Sequence, residues 1–124
     1  MKAFVCAIIL LIIISVASFM LSAYADEALD EIISINDQIK HDGNLNEKTK
    51  KAIEKSMEIW EKNENLFHIT INRNEIMNTK KEIASALGAC KVNSTEDFLT
   101  AIERLAVALD NIKSYTKLRV ENIF

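Results

Sequence analysis

The sequence predicts an all-α fold: an N-terminal hydrophobic helix followed by a small antiparallel bundle of about four helices. Two observations lead there. From Leu29 onward, apolar residues recur at alternating steps of three and four, the period of an amphipathic helix. Proline is absent and glycine occurs twice in 124 residues, so a turn-rich β-sandwich or barrel is close to excluded. A hydrophobic share of 49% and a charged share of 27% belong to a folding chain, not a disordered one. The length suffices for one small domain.

Residues 1–25 read as a signal peptide or an uncleaved membrane anchor, and residues 26–124 as an extracytoplasmic helical domain. No charge falls between Ala3 and Ala25, and Ala3 to Ile14 are all apolar. A span needs about 20 mostly apolar residues, so residues 3–25 are long enough to cross a bilayer. Lys2 precedes the segment, and Asp26, Glu27, Asp30 and Glu31 follow it. Positive charge stays cytoplasmic, so everything from Asp26 on is expected outside. Two fates fit this segment. Ala23-Tyr24-Ala25 before Asp26 matches the small-x-small pattern of signal peptidase, which would release a secreted chain. The apolar run, however, exceeds the roughly 7–15 residues usual in a cleaved signal, which favours retention in the cell membrane.

The first bundle helix carries Leu29, Ile32, Ile33 and Ile39 on one stripe, with Asn36 among them. Nothing interrupts the chain before Leu29, so this helix can continue directly from the hydrophobic one. Gly43 suits the left-handed conformation that closes a helix. A second helix is expected from Asn44, which with Glu47 has the spacing of a reciprocal cap. Its stripe is Ile53, Met57, Trp60, Phe67 and Ile71, with Glu64 on the same face. Glu47 with Lys51, and Glu58 with Lys62, are spaced for surface pairing. His68-Ile69-Thr70-Ile71 has strand-like alternation, but one strand without a partner leaves its ladder unpaired, so a helix end and turn are expected.

A third helix runs from about Asn74 through Ile76, Ile83, Leu87 and Cys90, with Lys80 on the stripe reaching water along its methylene stem. Ser94 opens the fourth, with Glu96 and Asp97 in the first turn, where the helix dipole favours acids. Phe98, Ile102, Leu105, Leu109 and Ile112 follow at steps of four and three, backed by Leu99 and Ala106. Lys113, Lys117 and Arg119 occupy the closing turns. Short connections make neighbouring helices antiparallel, so four stripes meet in one core.

Little in the chain carries chemistry. A net charge of −3 and a pI near 5.4 leave no basic surface for nucleic acid. His41 and His68 have no ligand partners at zinc spacing, and Cys90 has no neighbouring CxxC. With glycine only at positions 43 and 88, no glycine-rich loop forms an oxyanion or phosphate cradle. No catalytic, cofactor or metal site is therefore expected. Leu87-Gly88-Ala89-Cys90 imitates a lipoprotein cleavage site, but it lies mid-chain without a preceding signal. Asn93-Ser94-Thr95 matches a glycosylation acceptor, though helix capping accounts for it. Glu64 reads as a stripe-edge residue reaching solvent, and Asn36 as a polar core residue that fixes register. Trp60 and Phe67, seven apart, read as core.

With the hydrophobic helix, Trp60, Phe67, Asn74-Glu75-Ile76 and the closing Glu121-Asn122-Ile123-Phe124, the chain resembles the bacterial domain of unknown function 4363. These are short proteins with one N-terminal hydrophobic helix and a helical remainder, and the similarity spans essentially the whole length. Members often carry a histidine just before the acidic position matching Glu75, where this chain has Asn72, Arg73 and Asn74. The resemblance implies architecture and location and no mechanism. The function expected is that of a non-enzymatic, membrane-tethered protein that binds another protein, such as an integral membrane protein. The alternative is a secreted bundle, cleaved after Ala25, that senses a small ligand in a cavity near Trp60, Glu64 and Asn36. A homo-oligomer is compatible with either.

Overall fold

The computed structural model describes residues 1–123, with side chains described for residues 1–115. It contains four helices, α1 (Lys2–Asp42), α2 (Glu47–Thr70), α3 (Arg73–Lys91) and α4 (Thr95–Ile123), and no strand among the described residues. The hydrophobic helix and the first bundle helix are one unbroken element. No glycine or proline lies between Lys2 and Asp42, so nothing in the backbone chemistry stops the helix at Ala25.

α1 ends where expected. Gly43 takes φ 69°, ψ 12°, and its N–H bonds the Ile39 carbonyl at 3.0 Å. This left-handed turn costs glycine nothing and would strain any residue with a Cβ.

The cap of α2 differs from the expected Asn44–Glu47 pair. Asn46 is the cap: its Oδ1 accepts from the Thr49 N–H at 3.0 Å, while the Asn46 N–H donates to Thr49 Oγ1 at 2.9 Å. Thr49 is buried, so its hydroxyl needs internal partners, and Asn44 supplies one through its carbonyl at 2.9 Å. Glu47 stands instead in the first turn, where the dipole favours it.

The segment after Phe67 stays helical to Thr70 and then turns. Ile71 is extended, at φ −125° and ψ 150°, and it is buried. Asn72 Oδ1 accepts from the Asn74 N–H at 2.8 Å and so starts α3. At the other end of α3, Asn93 takes φ 53°, a conformation that asparagine tolerates better than most residues. Ser94 Oγ then accepts from the Asp97 N–H at 3.3 Å, as the cap of α4.

Each helix packs on its chain neighbours and α4 closes back onto α1, while the diagonal pairs stay apart. The result is an up-down-up-down four-helix bundle. Its core joins Leu29, Ile32, Ile39, Ile53, Trp60, Phe67, Ile76, Ile83, Phe98, Ile102, Leu105 and Leu109, all essentially without solvent exposure. Each such side chain contributes about 1.5–3 kcal/mol on burial. The Trp60 and Phe67 rings sit 4.6 Å apart at 41°, a contact between successive stripe positions of α2. Met57, Leu87 and Leu99 are only half-buried at the edges of their stripes, whereas Ile35, Ser56, Thr79 and Glu82 are buried.

Candidate functional site

The feature that sets this molecule apart from an ordinary bundle is the first half of α1. An 18-residue window there is apolar enough to cross a membrane and is 0% buried. Phe4, Val5, Ile8 to Ile14, Val16, Phe19 and Met20 all point to the surroundings. Ala25 is the first buried residue of the chain, followed by Ala28, Leu29 and Ile32. One helix thus has two environments, and the change falls at the end of the uncharged run.

The expected cleavage motif sits on that boundary. Ala23 is exposed, Ala25 is packed into the bundle, and Asp26 is half-buried with its carboxylate 3.3 Å from the Lys113 ammonium. Lys113 also meets Asp30 at 2.6 Å, so one α4 cation spans two successive turns of α1. Burial alone would lower the Lys113 pKa. The hydrogen bond from Lys113 to Asp30 and the charge of Asp26 outweigh it and raise the value above its ordinary 10.5.

The ion pairs of the described residues join different helices. Besides Lys113, Lys40 meets Glu103 at 3.6 Å and Lys80 meets Glu64 at 2.7 Å. The expected pairs Glu47–Lys51 and Glu58–Lys62 within α2 are not among them. Lys51, Glu58 and Lys62 instead line an open groove of about 740 Å³ between α1 and α2. Solvent there screens a surface pair, and its side-chain entropy is not repaid. Glu64, expected to reach solvent, is half-buried and bonded to Lys80, and both are polar interruptions of apolar stripes.

Asn36 is buried as a polar core residue. Its Nδ2 donates to the Ile102 carbonyl at a long 3.4 Å, and its Oδ1 has no protein partner. Ser56 Oγ, Trp60 Nε1 and Glu82 Oε2 are likewise buried without a protein partner. Four open grooves are described; Asn36 lines one, between α1 and α4, and Trp60 and Glu64 line none of the four.

His41 and His68 are exposed at the ends of α1 and α2. Among the described residues, no group of three or more His, Cys, Asp or Glu is placed to hold a metal. Cys6 is a free thiol on the apolar half of α1 and Cys90 a half-buried one on α3. Burial pushes the Cys90 thiol up; Lys50 opposes this and Glu54 adds to it. Glu75 is half-buried and Ile76 fully buried in the first turn of α3. The side chains of Lys117, Leu118, Arg119, Val120, Asn122 and Ile123, and all of Phe124, lie outside the described residues.

In comparisons with known proteins, no family model, no curated protein and no solved structure matches this chain.

Proposed function

We propose that this is a non-enzymatic, single-pass membrane protein whose helical bundle stands outside the cytoplasm and binds another protein. The observation that carries the reading is the continuity of α1. Its exposed apolar half is long enough to cross a bilayer, and its second half supplies core residues to the bundle. Retention is favoured over secretion for the same reason, because a cut after Ala25 would sever a helix at a packed residue. The charge step from Lys2 to Asp26, Glu27, Asp30 and Glu31 supports an outward bundle. The absence of a glycine-rich loop and of a recognisable nucleophile with its base supports a binding role over catalysis. Membership of the domain of unknown function 4363 belongs to the same proposal, supported by Trp60, Phe67, Glu75 and Ile76 together with the closing Asn122-Ile123.

The deciding experiment fractionates cells and measures the intact mass of the protein. A membrane-bound full-length chain supports the tether, whereas a soluble product beginning at Asp26 overturns it in favour of a secreted bundle. A reporter fused after Phe124 that is active only outside the cytoplasm supports the orientation. Crosslinking in the membrane followed by mass spectrometry is expected to yield a defined partner, and recovery of the monomer alone would count against an accessory role.

A further inference from the structure

α1 carries its apolar half into the bundle without a linker. Residues 3–25, at about 1.5 Å each, span about 35 Å, slightly more than the hydrocarbon core of about 30 Å. Along α1 the side chains pass from exposed to buried between Tyr24 and Ala25, and Leu21, half-buried one turn earlier, shares a groove with Leu66 of α2.

The registers of the other helices define what else lies at that level. Lys113 meets Asp26 and Asp30, and Asn36 meets Ile102, so Tyr115, two residues past Lys113, comes level with Tyr24. Leu21 and Tyr24 share a groove with Asn63 and Leu66, so Ile69, on the following turn of α2, lies at this same end, about one to two turns from Tyr24 toward the apolar half of α1. Lys80 meets Glu64, which places Met77, three residues nearer the α2–α3 turn, beside the last turn of α2. Tyr24, Ile69, Met77 and Tyr115 are all exposed large side chains, and they include both tyrosines of the chain. Each comes from a different helix. The far end of the bundle, by contrast, exposes Val92.

We infer that these four residues form a ring that seats the near end of the bundle in the headgroup layer of the bilayer holding α1. With one member per helix, all within about two helical turns along the axis, the ring encircles the end of the bundle that faces the apolar half of α1. A partner helix would instead need a stripe along one side. Tyrosine suits the position because its ring enters the apolar boundary while its hydroxyl stays wet.

This inference rests on α1 entering a bilayer, and the test separates the two. The full chain, carrying Cys6→Ser and Cys90→Ser, receives a single fluorescent label at Ile12→Cys, Ile69→Cys, Met77→Cys or Val92→Cys. It is reconstituted in phosphatidylcholine–phosphatidylglycerol vesicles, with circular dichroism checking each variant for helix. Lipids spin-labelled near the headgroup are expected to quench the labels at 69 and 77 at least about twofold more than the label at 92. Lipids spin-labelled deep in the acyl chain are expected to quench the label at 12. Quenching at 12 with equal signals at 69, 77 and 92 overturns the seated ring and leaves the anchor standing. No quenching at 12 overturns both.

Discussion

The carboxylate of Glu64 accepts a hydrogen bond from the ammonium of Lys80 at 2.7 Å, and this contact ties the C-terminal part of α2 to the first half of α3. Both residues interrupt apolar stripes, and each relieves the other. The side chains remain 27% and 44% exposed, so the pair is worth roughly 0.2–1 kcal/mol. A double-mutant cycle with Glu64→Gln and Lys80→Met, followed by urea unfolding, is expected to return a coupling in that range. The coupling should shrink as salt increases. A coupling of zero at low salt would show that the contact contributes nothing.

Trp60 and Phe67 lie in van der Waals contact without solvent exposure. Truncating either leaves a cavity that helices cannot collapse to fill. Trp60→Ala and Phe67→Ala are each expected to cost about 3–5 kcal/mol, measured as a shift in the urea midpoint. Trp60→Phe should cost less, since it removes the buried Nε1–H that has no protein partner. A loss below about 1 kcal/mol for Trp60→Ala would mean that the ring is not core.

The start of α2 separates two asparagines that look alike in the sequence. Asn46→Ala removes the acceptor for the Thr49 N–H and is expected to cost about 1 kcal/mol. Asn44→Ala should cost much less, because the Asn44 carbonyl, which accepts from Thr49, survives the substitution. Thermal unfolding of both variants checks the order, and a larger loss at position 44 would restore the cap expected from spacing.

What the sequence discloses and what it withholds follow from how local each contact is. Gly43, Ser94 and the stripes through Ile53, Trp60, Phe98, Ile102 and Leu105 are legible because cap and period are properties of a few adjacent residues. The Asn46–Thr49 cap was hidden by a competing template, since Asn44 with Glu47 fits the asparagine-x-x-glutamate spacing and Thr49 closes the box with a hydroxyl. Glu64–Lys80 and Lys113–Asp30 cross between helices, and nothing in one helix's spacing encodes the register of the next. Ser56 and Glu82 were missed because polar residues on a flank of the stripe signal exposure, whereas close helix packing covers both. The continuity of α1 was legible, because no helix breaker stands near Ala25. What meets the apolar half of α1 is a property of its surroundings.

Asn36 is buried with one long hydrogen bond and one oxygen without a protein partner. An unsatisfied buried acceptor costs about 1–3 kcal/mol, so Asn36→Leu is expected to raise the urea midpoint. If Asn36 also fixes the α1–α4 register, the stabler variant should lose definition of its core, visible as broadened amide resonances around Ile102. A destabilised variant would show that the 3.4 Å bond is worth more than its length suggests.

Lys113 gives the bundle a sign-specific dependence on pH. Burial would lower its pKa, but Asp30 and Asp26 together raise it above the ordinary 10.5. A raised folded value means that the contribution is fully present below the unfolded pKa and disappears as pH climbs through the folded one. Lys113→Met is therefore expected to cost a roughly constant 0.2–1 kcal/mol at neutral pH, since exposed partners limit the pair. The gap between wild type and variant should close above about pH 10.5, where the native lysine deprotonates. Chemical unfolding at a series of pH values measures this. A gap that widens in alkali would reverse the assigned sign, and no gap at pH 7 would mean that Asp26 and Asp30 hold α4 to α1 by nothing more than proximity.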